Sequence, residues 1–550
     1  MRKITKLISI FTAVVLIAVT FNGCSAAEKI DAKMFSLEGD AMNFDDTNGV
    51  SVHDPTLFKA KDGTYYISGS HIAMAKSNDL INWSTVKSGV FDSNSILVKE
   101  GSTLRADYAE PFAWCDAAQT TWEKSEEEWE TNVWASDIIY NEAMEKYCYY
   151  ASTSLWGTPL SVIWFATADN PEGTYEFNSC IIYSGFNSHT KFGKPKQAIH
   201  YSFTNIGNLI EQGVFTEEEV KAVNYWCNED GDYDCSYGKY PNAIDPAPFY
   251  DKDGNLWLVY GSFSGGIYVM PLIEETGMPD YEKMKNAEGY DIYFGKQISK
   301  TNEDTQGTGE GPYIIYNSES DYYYFFLTYG GLDALGGYNI REYRSKNPDG
   351  PYTDLAGNDA CEMKNTGTPI IGNYQFSFDN TAYLSAGHSS ALVDDDGRIF
   401  QAYHNRYNDG EGSFFNDKIH QMLKTSDGWL TMLPLEYKGE QAKAVTIGDV
   451  AGEYEGITLG NKILNTDSWD KVDSIINKPE NFVIGKDGNV TYGDANGTIS
   501  IDSNSYTFKI TLEDEEYTGA FCVGTKPDGK TVMTFSALNG KNETLWGVAK

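Results

Sequence analysis

Five short phrases along the 550-residue chain share one design. They are His53-Asp54-Pro55-Thr56-Leu57-Phe58, Ser136-Asp137-Ile138-Ile139-Tyr140, Ile244-Asp245-Pro246-Ala247-Pro248-Phe249, Gly309-Glu310-Gly311-Pro312-Tyr313-Ile314 and Gly387-His388-Ser389-Ser390-Ala391-Leu392. Asp54, Asp245 and Glu310 place a carboxylate at one point of the phrase. Three convergent carboxyl groups suit acid–base cleavage of a glycosidic bond. One carboxylic acid protonates the leaving oxygen, a second carboxylate activates water or attacks the sugar, and a third acid raises the donor's pKa. The proline after Asp54 and Asp245 predicts an extended backbone at each aspartate. The glycines around Glu310 predict close approach of substrate to backbone. Any one phrase alone reads better as an ordinary turn, since Asp, Gly and Pro dominate turns for local reasons. The three together in one repeat position reverse that preference.

Such phrases need a scaffold that brings distant segments to one point. Their spacing, roughly 65 to 110 residues with insertions, is what repeated β-sheet blades leave in a sequence. Blades arranged around an axis would gather Asp54, Asp137, Asp245, Glu310 and His388 at one centre. Short runs rich in Tyr, Ile, Val, Phe and Trp, punctuated by Asp-Gly, Asn-Pro and Gly-Gly turns, fill 49–437 and predict an all-β propeller or sandwich. Asn170-Pro171-Glu172-Gly173-Thr174-Tyr175 and Asn347-Pro348-Asp349-Gly350-Pro351-Tyr352 read as the same outer turn in two blades. Two insertions interrupt the repeats: an acidic stretch over 115–131, expected as a short helix or lid edge, and 187–240, where Thr216 and Glu219 make a capping box. Insertions between blades are expected on the substrate face. Alternating strands over 449–550 predict a separate small β-barrel or sandwich.

Arg2, Lys3 and Lys6 precede an apolar run from Leu7 to Phe21 that ends at Gly23-Cys24-Ser25. The pattern is an export signal, too short for a comfortable membrane span, and the Gly-Cys junction resembles a lipobox. Residues 1–24 are therefore assigned to the signal, 25–48 to a tether, 49–440 to the propeller and 449–550 to the C-terminal domain, with Cys24 as the lipid anchor of a secreted cell-surface protein. The net charge is −37, which argues against nucleic acid and against an anionic membrane surface. The chain is expected to be a monomer that meets a membrane only through its lipid. Aromatic residues make up 14% of the chain; their faces suit the C–H faces of sugars, though many pack sheets. Of eight cysteines, Cys227 and Cys235 bracket an acidic loop and are the best disulfide pair; most of Cys115, Cys148, Cys180, Cys361 and Cys522 are expected as buried small hydrophobes.

The set His53-Asp54-Pro55, Asn242-Ala243-Ile244-Asp245-Pro246, Glu310-Gly311-Pro312-Tyr313 and Gly387-His388-Ser389-Ser390 resembles glycoside hydrolase family 43. Within it the likeness is to the two-domain endo-1,5-α-L-arabinanases, supported by Tyr260-Gly261-Ser262-Phe263-Ser264-Gly265-Gly266, Gly336-Gly337-Tyr338-Asn339 and Tyr403-His404-Asn405-Arg406-Tyr407. The resemblance implies a five-bladed β-propeller followed by a β-rich domain. It implies inverting endo-hydrolysis of α-1,5-L-arabinofuranosidic links in arabinan, with Asp54 as general base, Glu310 as general acid and Asp245 as the group that raises and orients the acid. The two working carboxyl groups would then stand roughly 6.5–9.5 Å apart. It also implies one calcium ion near the site, with His388 among its ligands and water completing the shell, an unusual arrangement for an oxygen-loving cation.

The neighbours carry alternatives. Asp137 lies in Trp134-Ala135-Ser136-Asp137, where the family has Trp-Ala-Pro-Asp, and either lines the sugar pocket or caps a strand. His53 either binds a sugar hydroxyl, orients Asp54 or is structural. Ser262 is placed to meet substrate, and Arg406 either forks onto sugar hydroxyls or forms a salt bridge between blades. His404, Trp134 and Trp257 are expected as core or support. No His-Glu-x-x-His, paired Cys-x-x-Cys or nucleophile elbow is present. The rival functions are an exo-acting α-L-arabinofuranosidase or β-xylosidase of the same fold, and a non-catalytic glycan-binding propeller. The C-terminal domain offers no aromatic platform for polysaccharide and is expected to brace.

Overall fold

The computed structural model describes residues 50–87, 89, 94–121, 132–154, 159–189, 199–228, 239–300, 309–361, 366–410 and 415–550. The signal, the tether, Cys24, the glutamates of 123–130 and Cys235 lie outside them.

Alternating, aromatic-rich runs form five antiparallel sheets, each built from consecutive strands. The innermost strands are Thr56–Lys59, Asn132–Asn141, Ala247–Tyr250, Glu310–Asn317 and Tyr383–Val393. Each packs on its two neighbours, and the first packs on the fifth, so the five blades close into a ring about one axis. The closure between blades 1 and 5 uses side chains. The Leu57 N–H donates to Ser390 Oγ at 2.8 Å, Ser390 Oγ donates to the Pro55 carbonyl at 3.0 Å, and the Val52 N–H donates to Asp417 at 2.8 Å. The two Asn-Pro-x-Gly phrases occupy the same turn, between the third and fourth strands of blades 2 and 4. Both close alike, Tyr175 and Tyr352 donating to the carbonyls of Pro171 and Pro348.

In a four-stranded meander the first strand begins at the face where the fourth ends. All blade-to-blade connections and all turns between second and third strands therefore share the face at which the inner strands start. The inserted helices Ala109–Thr121, Asn205–Glu211 and Glu217–Val223 decorate that face, and the Thr216–Glu219 capping box is present. Cys115, Cys148, Cys180 and Cys522 are buried, as small hydrophobes are.

The C-terminal strands, from Gly452–Leu459 to Glu543–Ala549, close an eight-stranded antiparallel barrel. Phe482, Phe508, Phe521, Phe535, Tyr454 and Leu545 fill it, making its interior a packed core. Its outer surface continues the core of blades 4 and 5: Trp546, Ile457 and Val548 pack with Ile370, Tyr374, Met422 and Met432. Arg341, fully buried in blade 4, donates to the Asn461 carbonyl of the arm that connects the barrel's first two strands. That arm reaches the axial face, where the Thr466 N–H donates to the Leu335 carbonyl and Asn373 to the Leu464 carbonyl.

Candidate active site

Each inner strand carries, just before it or within it, a residue in the left-handed region at the axial mouth: Asp54 (φ 57°), Ala135 (45°), Asp245 (56°), Gly311 (58°) and His388 (47°). The prolines at 55, 246 and 312 follow in step. This corrects two expectations. The aspartates are left-handed rather than extended: proline excludes the right-handed helical region, aspartate tolerates the left-handed one, and surrounding hydrogen bonds hold it there. The acids are also not strictly equivalent. Glu310 precedes the left-handed residue by one position and shares its register with His53, while Asp137 follows it by two. Irregularities in pairing after Trp134 and Glu310 accompany these offsets.

The axial mouth nevertheless joins Asp54, Asp245, Glu310 and His388. Ser70 Oγ donates to Asp54 Oδ2 at 2.5 Å and accepts the Ala135 N–H at 2.8 Å, tying blade 1 to blade 2. Asp54 Oδ1 lies 3.1 Å from His388 Nδ1 and 3.2 Å from His53 Nε2. Asp245 Oδ2 accepts the Gly311 N–H at 3.1 Å, and Ser262 Oγ donates to Glu310 Oε2 at 2.9 Å. The Phe263 N–H donates to the Gly309 carbonyl at 3.1 Å, fixing the loop that carries Ser262 to the strand that carries Glu310.

These surroundings separate the proton affinities. Burial alone would raise Asp54, but the imidazoles of His388 and His53 and the Ser70 hydroxyl outweigh it and hold the carboxyl well below the usual range. Burial pushes Asp245 up to about 6, His388 opposing and the Asp54 charge adding to the rise. Burial and then the Asp245 charge drive Glu310 well above its ordinary value, against the Ser262 hydrogen bond. The two carboxyl groups are therefore driven apart across the same mouth, Asp54 toward the ionised form and Glu310 toward the protonated one.

The remaining expected residues divide. Arg406 does bridge blades, its Nε donating to the Leu332 carbonyl at 3.0 Å, and its guanidinium rests 4.2 Å from the Phe415 ring. Phe415 in turn stacks on His53 at 4.0 Å, so Arg406 reaches the mouth through an aromatic relay. Asp137 is fully buried one layer deeper along the axis, with Tyr313 and Thr56; burial pushes it up to about 8. Trp257 is core. His404, expected as core or support, stands against Asp54. Ser70 and Phe415 gave no sequence signal, because a lone serine or phenylalanine in a loop is commonplace.

Among the described residues, one group gathers three metal-ligating side chains: His53, Asp54 and His404. His388 lies outside it. A cation at His388 would find one imidazole, whose Nδ1 already faces Asp54, and would hold mostly water.

A propeller whose axial mouth shifts two carboxyl groups in opposite directions is built as an acid–base glycoside hydrolase. The comparisons give the family. The profile described as "Glycosyl hydrolases family 43" matches residues 226–430, and that of a C-terminal lipocalin-like domain matches 434–547. The extracellular endo-alpha-(1->5)-L-arabinanase 2 of Bacillus subtilis is 33% identical, over 90% of this chain and 92% of that protein. The Thermotoga petrophila extracellular endo-alpha-(1->5)-L-arabinanase is 32% identical, over 90% and 93%. The crystal structure of the endo-1,5-alpha-L-arabinanase from Thermotoga petrophila superposes with a TM-score of 0.72 at 30% identity, covering 92% of this chain and 99% of that one. The chain belongs to glycosyl hydrolase family 43.

Proposed function

We propose that this protein is an inverting endo-hydrolase of α-1,5-L-arabinofuranosidic links in arabinan. The observation that carries the mechanism is that Asp54 and Glu310 share one mouth in surroundings that shift their proton affinities in opposite directions; the substrate follows the named relatives. Glu310 gives its proton to the leaving glycosidic oxygen. Ser262 occupies Oε2, which leaves Oε1 to carry that proton. Asp54 takes a proton from the water that attacks the anomeric carbon from the opposite face, so the configuration inverts. Asp245, pinned by the Gly311 N–H, keeps the acid protonated through its charge and fixes the backbone beside it. His53 and Arg406 border the mouth as sugar contacts, while Asp137 acts from beneath it. Calcium bound at His388 would supply positive charge beside Asp54. Exhaustive chelation is expected to lower activity or melting temperature; no change in either would remove the ion from the reading. Export of the chain agrees with the relatives described as extracellular, and Cys24 is proposed as its lipid anchor.

The test is the product profile on linear debranched arabinan, beside xylan and an aryl arabinofuranoside. Early mixed arabino-oligosaccharides with little aryl release are expected. Arabinose or xylose alone would make the enzyme exo-acting, and no product from any substrate would favour a binding propeller.

A further inference from the structure

Four of the chain's seven histidines, His53, His71, His388 and His404, gather at the axial mouth, and one of them makes a contact of a different kind. The backbone N–H of Asp54 donates to His404 Nδ1 at 3.2 Å, a buried bond between residues 350 positions apart. The bond requires Nδ1 to be a bare acceptor, so His404 is neutral with its proton on Nε2. Burial, followed by the field of His53, drives its proton affinity well down, in keeping with that tautomer.

The imidazole is clamped. Tyr338 stacks parallel to it at 6.1 Å and Phe415 meets its edge at 4.6 Å. Its strand partner is Gly387, where a Cβ would come within 2.2 Å of the Tyr338 ring, so the clamp needs glycine there. The clamp also leaves His404 Nε2 buried without a hydrogen-bond partner among the described residues. An apolar side chain filling the same space would carry no such penalty. The imidazole therefore earns its place through Nδ1.

We infer that His404 is a positioning residue for the general base, acting on the Asp54 backbone rather than on substrate. Asp54 sits at φ 57°, a conformation a non-glycine residue keeps only when its surroundings impose it. Ser70 and His388 hold the carboxylate, while His404 holds the peptide behind it, from the last blade across the ring closure to the first. Without that acceptor the Asp54 N–H is left unpaired and the carboxylate loses its aim at the attacking water. The inference rests on Asp54 being the base.

The experiment compares His404→Asn, His404→Gln and His404→Ala with the native enzyme and with Asp54→Ala and Glu310→Ala. Substrates are linear arabinan and an aryl arabino-oligosaccharide with a good leaving group. Asparagine can place an acceptor oxygen near the Nδ1 position, whereas glutamine places one nearer Nε2. A fall in kcat of roughly 10–100-fold is expected for His404→Gln and His404→Ala, equal on both substrates and with KM little changed, because a misplaced base is not rescued by an easier leaving group. His404→Asn should recover most of kcat. Glu310→Ala should instead recover on the aryl substrate. Native kcat in folded His404→Gln or His404→Ala would overturn the inference. So would equal losses in His404→Asn and His404→Gln at matched melting temperatures, which would make the histidine merely structural. Should His404→Ala fail to fold, the Asn and Gln pair decides alone. Retained activity in Asp54→Ala would instead overturn the assignment of the base, and inactivity of the native enzyme on arabinan the proposed function.

Discussion

At the scale of single residues, the site works by giving like groups unlike surroundings. Asp54 is ringed by imidazoles and a hydroxyl; Glu310 faces burial and a neighbouring carboxylate. The pH profile should record this. With Glu310 as the proposed general acid, activity requires it protonated, and the alkaline limb should fall as Glu310 ionises. Asp245→Asn removes a negative charge that raises Glu310, and the limb should move to lower pH. Ser262→Ala removes a hydrogen bond that lowers it, and the limb should move to higher pH. A kcat profile of both variants on arabinan checks the pair; shifts in the same direction would refute the assignment.

Elements place these residues through one left-handed residue on or just before each inner strand. Gly311 shows how tightly: its φ is 58°, and an added Cβ would lie 3.0 Å from the His388 ring. Gly311→Ala should therefore lose about 1–3 kcal/mol by denaturant unfolding, from backbone strain and from a crowded imidazole. Activity should fall with it, since the Gly311 N–H also holds Asp245. An unchanged midpoint would mean the strand start relaxes freely. The recurring Asp-Gly and Asn-Pro turns were legible because they are local chemistry. The one-residue offset of Glu310 is written in the sequence too, since Pro312 stands two positions after it while Pro55 and Pro246 directly follow their aspartates. The left-handed backbone that gives the offset its meaning is set by contacts between blades.

For the whole molecule, the barrel shares a core with blades 4 and 5 instead of hanging from a linker. Trp546 is fully buried there, meeting the Tyr374 ring edge-on at 5.2 Å. Trp546→Ala should cost about 3–5 kcal/mol. Calorimetry should show a lower melting temperature, with the barrel and propeller transitions drawing apart; one unshifted transition would show that the shared core does not couple the domains. The arm of residues 460–478 extends this contact to the axial face, where it braces the blade 4 loop whose Leu332 carbonyl holds Arg406.

The sequence by itself determined the all-β repeat and the family, and singled out Asp54, Asp245 and Glu310 as the candidate acids, because these reside in local turn chemistry, in side-chain alternation and in short motifs. Tertiary structure alone decided that Asp54 is left-handed, that Asp137 lies beneath the acids, and that Ser70, Phe415 and His404 belong to the mouth. Each of these depends on contacts between blades. His404 and Asp54 are 350 residues apart, and only closure of the ring brings the acceptor to its N–H.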